Sequence, residues 1–167
     1  MVIVVMGVSG VGKTTVGKAL AERIGARFAE GDQFHSPENV EKMRMGRPLN
    51  DQDRLPWLQT LNGNIGEWER AGETVVLSCS ALKRKYRDQL CAGHTGVQFL
   101  FLEAEKEVVA QRVNARTGHY MPASLLDSQY RDLEAPEPQE NVVTVDGGAS
   151  VEEILERVLG HFQHPRR

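Results

Sequence analysis

The residues Gly7-Val8-Ser9-Gly10-Val11-Gly12-Lys13-Thr14 have the types and spacing that hold phosphate, the pattern G-x(4)-G-K-[ST]. Glycines allow a tight turn whose N–H groups point inward, and a helix that follows presents unpaired N–H groups and its positive dipole end to an anion. In that arrangement Lys13 reaches the β- and γ-phosphates of a nucleotide and the Thr14 hydroxyl ligates Mg²⁺. Gly7, Gly10, Val11, Gly12 and Thr15 complete the expected nucleotide-binding set. The loop specifies a phosphoryl donor and leaves open a kinase, a switch GTPase or a mechanical ATPase.

Asp32 is the most informative residue facing that loop. A carboxylate there can accept a proton from an acceptor hydroxyl or bind Mg²⁺ through water, although aspartate after glycine is also a common turn residue. Groups of both signs follow: His35, Lys42, Arg44, Arg47, Asp51, Asp53 and Arg54. Arginine fits carboxylates and phosphates bidentately while Asp and His suit hydroxyls, so the mixture points to a small polyhydroxylated anion as acceptor. Taken alone, His35 reads as a structural hydrogen-bonder and each of the other groups as a surface charge. Lys83 and Arg87, four apart, share a helix face that suits an anion, whereas Arg84 and Lys85 point elsewhere into solvent. Arg112 and Arg116, also four apart, suit a lid closing over the transferred group, or an ordinary charged helix end.

These groups need a frame. The apolar run Met1 to Met6 reads as a strand buried on both faces of a parallel sheet. A helix from about Gly12 stops at Gly25, and a strand, Arg27 to Glu30, leads to Gly31-Asp32. Ser36 reads as the N-cap of a short helix with Pro37 at its first position, closed by Gly46. Asp51 or Asp53 caps the next helix, in which Leu58, Leu61, Ile65 and Trp68 recur until Gly72; Pro56 is expected to lie within its first turn. Strands follow at 74–79, 97–102 and 141–145. Helices follow at Ser80 (as cap) to about Leu90, at 105–116, from about Pro122 to Leu133, and from Ser150, which with Glu153 makes a capping box. Strands alternating with helices give an α/β fold with a parallel sheet, and ligands then bind beyond the carboxyl ends of the strands. That edge gathers Gly7 to Thr14, Asp32, His35, Ser80, Lys83 and the helix carrying Arg112 and Arg116.

Length and composition fit one ordinary globular domain: 167 residues, 40% hydrophobic and 26% charged. The longest apolar run falls far short of the roughly 20 residues that span a bilayer, and no leader pattern surrounds it, so a cytoplasmic protein with no membrane partner is expected. A net charge of −3 gives no bulk footprint for nucleic acid. The two cysteines, Cys79 and Cys91, lack metal-ligand spacing and read as reduced thiols. The guanine-specifying patterns N-K-x-D and T-K-x-D, and a D-x-x-G after a strand, are all absent, which weighs against a nucleotide-dependent switch.

Several longer motifs resemble the P-loop gluconate kinases. They are Gly7 to Thr14, Gly31-Asp32-x-x-His35, Lys42-Met43, Gly46-Arg47-Pro48-Leu49-Asn50-Asp51-x-Asp53-Arg54-x-Pro56-Trp57-Leu58 and Cys79-Ser80-Ala81-Leu82-Lys83-x-x-Tyr86-Arg87-Asp88. The match continues through Arg112, Arg116, Gly118-His119-Tyr120-Met121-Pro122, Ser128-Gln129-Tyr130 and Leu133-Glu134. The resemblance implies a three-layer fold like that of adenylate and shikimate kinases, with a five-stranded parallel sheet in the order 2-3-1-4-5, and often a homodimer. It implies ATP- and Mg²⁺-dependent phosphorylation of D-gluconate at its 6-hydroxyl. Other acceptors on the same fold, such as shikimate, another sugar acid or a nucleoside monophosphate, are the rivals. On this resemblance Lys13, Asp32 and Arg116 are catalytic, Arg112 and Arg116 join the nucleotide set, and Thr14 and Asp32 serve the metal. The acceptor side, about 32–72, holds Asp32, His35, Lys42, Arg47, Asp53 and Arg54, joined by Ser80, Lys83, Arg87, His119 and Gln129; the lid covers about 112–125. Glu30 departs from the family by standing where an aspartate is common, and Ser36-Pro37 is a second departure.

Overall fold

The computed structural model describes residues 1–115 and 123–162, so the expectations for Arg116 and His119 lie outside the described residues. Five strands, β1 (Val2–Met6), β2 (Arg27–Glu30), β3 (Val75–Ser78), β4 (Val97–Glu103) and β5 (Val142–Asp146), form one sheet in the order β2-β3-β1-β4-β5. Every pairing is parallel, and Val2 of the central strand sits opposite Val75 on one side and Val97 on the other. This is the order that the resemblance implies.

The unbroken apolar β1 follows from its place. Ile3 and Val5 face a layer containing Leu20 of α1 (Lys13–Ile24) and Val158 and Phe162 of α7 (Val151–Phe162). Val2, Val4 and Met6 face Leu58, Leu61 and Ile65 of α3 (Asp51–Arg70) and Leu90 of α4 (Arg84–Cys91). A strand covered on both faces has no polar side, so alternation disappears from its sequence. The remaining helices are α2 (Pro37–Arg44), α5 (Lys106–Ala115) and α6 (Ala123–Asp132).

Three local expectations are corrected. Helix α3 is capped by Asn50, not Asp51 or Asp53; Asp53 instead closes a capping box, its carboxylate accepting from the Asn50 N–H at 2.9 Å. With α3 starting at Asp51, Pro56 lies beyond the first turn, and Gln52 loses a helical donor in an exposed residue that water can serve. Ser80 does not cap α4. Lys83 takes that position, and the Arg84 N–H donates to the Glu134 carboxylate at 2.8 Å, a cap supplied from another part of the chain.

Parallel strands place all carboxyl ends on one edge, and two glycines set the backbone there. Gly12, the residue before α1, has φ 110°, which an L side chain rarely adopts. Gly31 opens the 3₁₀ turn Gly31–Phe34 so close to β3 that a Cβ would lie 2.2 Å from the Ser78 carbonyl oxygen. That contact seats Asp32, one residue on, beside the phosphate loop. Gly31→Ala is therefore expected to lower stability by about 1–3 kcal/mol or more through overpacking. An unchanged urea midpoint would show that the turn can move away from β3 without cost.

Candidate active site

Lys13 is the first residue of α1, and its ammonium donates to the Val8 carbonyl at 3.0 Å. Burial lowers its pKa, opposed by the negative charges of Asp32 and Glu30. The Thr14 hydroxyl donates to Glu30 Oε1 at 2.7 Å, and the Ser78 hydroxyl donates to the other Glu30 oxygen at 2.5 Å. Gly10, Gly12, Thr14 and Thr15 line a cavity that Lys13, Glu30 and Asp32 complete. The Asp32 side chain keeps 70% of its exposure toward the open cleft, yet the protein around it displaces enough water to raise its pKa; Lys13 opposes this and Glu30 adds to it.

The Thr14 hydroxyl and the Glu30 and Asp32 carboxylates are hard oxygen donors around one cradle. Among the described residues no three His, Cys, Asp or Glu side chains converge as a metal cage. Such a set fits Mg²⁺, which keeps several waters and takes one or two protein ligands alongside phosphate oxygens.

Lys13 and Asp32 also line a second, adjoining cavity, where His35, Arg47 and Arg54 bring polar groups and Met43, Leu49 and Trp57 bring apolar walls. Ser80 and Gln129 reach it as well. Gln129, from α6, accepts through Oε1 from both the N–H and the hydroxyl of Ser9, at 3.0 and 3.2 Å, and so ties α6 to the phosphate loop. The His35 ring stacks on Trp57 with centroids 4.1 Å apart, and burial lowers its pKa to about 4, with the Arg54 charge contributing. Arg54 is buried; one of its nitrogens donates to the Tyr86 hydroxyl at 2.9 Å and to Asp132 at 3.3 Å.

The structure brings together Lys13, Asp32, His35, Arg47, Arg54, Ser80 and Gln129 around this cavity, and places four expected acceptor residues elsewhere. Arg87 is 1% exposed, with its guanidinium bonded to Glu140 at 2.7 Å and to the carbonyls of Ala81, Leu82 and Glu134, so it faces the interior and not an anion. Lys83 pairs with Asp51 at 3.0 Å, and Lys85, read from the sequence as solvated, bonds the same carboxylate. Lys42 and Asp53 close on each other at 2.6 Å, which with the Asn50 N–H holds the Asp53 pKa down. Arg112 sits beside the phosphate loop. It donates to the carbonyls of Val11 and Gly147 and lines a third cavity, whose walls include Val11, Val16, Val151 and Ile154.

Sequence reasoning missed Asn39 and Asp132 as parts of this site, and named Ser9 and Tyr86 only within motifs, without a role of their own. Only Asn39 carried a local signal, lying four residues after His35, just across the Ser36 cap that starts α2. The partners of the others arrive from distant positions.

Comparison with known proteins adds to this geometry. A family model described as an AAA domain matches residues 2–136. A gluconokinase of Gluconobacter oxydans is 48% identical over 96% of this chain and 90% of its own length. Among solved structures, a gluconokinase from Sinorhizobium meliloti 1021 is 49% identical with a TM-score of 0.85, covering 95% of this chain and 89% of that one. A shikimate kinase from Bacteroides thetaiotaomicron, 18% identical with a TM-score of 0.69 over 98% of this chain and 99% of its own, shares the fold.

Two predictions follow from the placement of charge. Arg87→Met strands Glu140 at 7% side-chain exposure and is expected to lower the unfolding free energy by about 3–5 kcal/mol. An unchanged denaturant midpoint would return Arg87 to the ligand-binding set. His35, ordinarily titrating at 6.5, is held neutral in the folded state down to about pH 4, so the unfolded chain binds more protons between those values. Its contribution is complete above pH 6.5 and is lost as pH falls toward 4, up to about 3 kcal/mol. The stability difference between the wild type and His35→Phe should shrink over that window, and a constant difference would contradict the buried neutral ring.

Proposed function

The chain belongs to the gluconokinase family, and from that premise we propose that it transfers the γ-phosphoryl group of ATP to the 6-hydroxyl of D-gluconate, giving ADP and 6-phosphogluconate. The observation that carries this reading is the pair Lys13 and Asp32, which lines both the phosphate cradle and the polar cavity beside it. A donor half-site and an acceptor half-site that share two residues suit in-line transfer, in which catalysis is mostly positioning and charge neutralisation.

On this reading the cradle N–H groups and Lys13 hold the β- and γ-phosphates, and the apolar cavity beside Arg112 takes the nucleotide base. Arg47 and Arg54 face the gluconate carboxylate, a planar anion that guanidinium groups match, while Asp32, His35, Ser80 and Gln129 meet its hydroxyls. As the bond from the acceptor oxygen to the γ-phosphorus forms and the bond from that phosphorus to the β–γ bridging oxygen breaks, the hydroxyl proton passes to Asp32. The raised pKa of Asp32 makes it a stronger proton acceptor than an ordinary carboxylate. Thr14, with Asp32 through water, would hold Mg²⁺, whose charge offsets that on the phosphate oxygens. The acceptor region is about 32–72; the middle of the lid expected at about 112–125 falls outside the described residues. Unpaired thiols at Cys79 and Cys91 suit a reducing cytoplasm, and a homodimer, which sedimentation would measure, completes the proposal.

ADP release should depend on gluconate, with little stimulation by shikimate, other aldonates or nucleoside monophosphates; no response to gluconate would overturn the reading. Asp32→Asn is expected to keep ATP binding and lose about 10² to 10⁴ in kcat. Turnover like that of the wild type would remove Asp32 as the base.

A further inference from the structure

Asn39 has no place in the phosphoryl-transfer machinery described above, yet it is 6% exposed and lies beside it on α2. Its Nδ2 donates to the Asp53 main-chain carbonyl at 2.8 Å. A carbonyl oxygen only accepts, so this bond fixes which end of the amide is nitrogen. The same Nδ2 stands 3.2 Å from His35 Nδ1. An amide nitrogen only donates, and His35 Nδ1 therefore accepts and carries no proton. In a neutral imidazole the proton then sits on Nε2.

The other side of the ring is equally fixed. His35 stacks on Trp57 at an interplanar angle of 18°, and Trp57 Nε1 donates at 2.8 Å to the carbonyl of Gly31, the residue that opens the turn carrying Asp32. Nε2 lies 4.0 Å from Asp32 Oδ1, too far for a direct hydrogen bond and close enough for one hydroxyl oxygen to touch both. The charged groups facing this ring are Asp32 from its own turn and Arg54 from α3.

We infer that Asn39 is a positioning residue: it locks His35 in the Nε2–H form, so that an acceptor hydroxyl between His35 and Asp32 accepts a hydrogen bond from Nε2 and turns its own proton toward the carboxylate. With the proton on Nδ1, Nε2 would compete with Asp32 for the hydroxyl proton and leave it misdirected. The Asn39 amide thus sets the rotation of the reacting hydroxyl without touching it. This rests on the reading of Asp32 as the group that faces the acceptor.

Long-range ¹H–¹⁵N correlation of the imidazole in the full chain reads the tautomer directly and needs no turnover, so it separates this inference from the assignment of the substrate. The wild type should show His35 protonated at Nε2 alone. Asn39→Asp replaces the donor with an acceptor and should move the proton onto Nδ1. With gluconate as acceptor, Asn39→Leu should lower kcat about 10-fold or more, the usual cost of losing an orienting partner, with the KM for ATP unchanged. In a His35→Leu background the same substitution should cost nothing further, whereas a merely structural role would give additive losses. A wild-type ring protonated on Nδ1, or additive kcat effects, would overturn the inference. Should the Asn39 variants fail to fold, the wild-type spectrum still decides it.

Discussion

The site depends on an ammonium group held where water is scarce. Burial works against the Lys13 charge, and what sustains it is a carbonyl 3.0 Å away and the carboxylates of Asp32 and Glu30. A cation so placed gains most from an incoming polyanion, because few waters remain to screen the attraction. The same surroundings divide the labour between the two carboxylates. Glu30 is bound by the hydroxyls of Thr14 and Ser78, whereas Asp32 stands toward the cleft with its pKa raised. Two acids two residues apart, one ending β2 and the other on the turn that follows, thus differ in chemistry: hydrogen bonds engage Glu30, and burial raises the pKa of Asp32.

Charges paired with one another hold this arrangement. Arg87 and Glu140 form a buried pair in which burial pushes the Glu140 pKa up and the Arg87 and Glu137 hydrogen bonds pull it below the ordinary value. Asp51 gathers Lys83, Lys85 and the Tyr86 hydroxyl at the start of α3, and the Tyr86 oxygen in turn accepts from Arg54. The buried Arg87–Glu140 pair adds little net stability over apolar packing, but breaking it leaves a costly lone charge, whereas the Asp51 pairs are partly exposed and screened by water. Their effect is to fix α3, α4 and the end of α6 in one register, with Arg54 aimed at the cavity.

This distinction explains what the sequence discloses. The phosphate loop was legible because its chemistry is local: glycines, a lysine and a hydroxyl within eight residues between a strand and a helix. The sheet order came with the resemblance, and the buried strands themselves from apolar runs such as Val2 to Met6. Arg87 was misread because the residue that claims it, Glu140, lies 53 positions away, and nothing in a helix face announces a distant carboxylate. Pro56 was misjudged for a different reason. Asn50, Asp51 and Asp53 are all good caps, and a shift of the start by a residue or two moves a proline out of the tolerant first turn.

The acceptor cavity shows how such distant contributions converge. Met43, Arg47 and Leu49 come from the end of α2 and the connection to α3, Arg54 and Trp57 from α3, and Leu125 and Gln129 from α6, all around Lys13 and Asp32. The α2–α3 segment and α6 each supply both an apolar wall and a polar group. A water molecule in this space satisfies the polar groups and none of the walls, whereas a carbon chain bearing hydroxyls and a terminal carboxylate satisfies both. On the proposed function the reacting oxygen is selected by what the rest of its molecule occupies, so that remote contacts would direct the phosphoryl group to a sugar acid in preference to solvent.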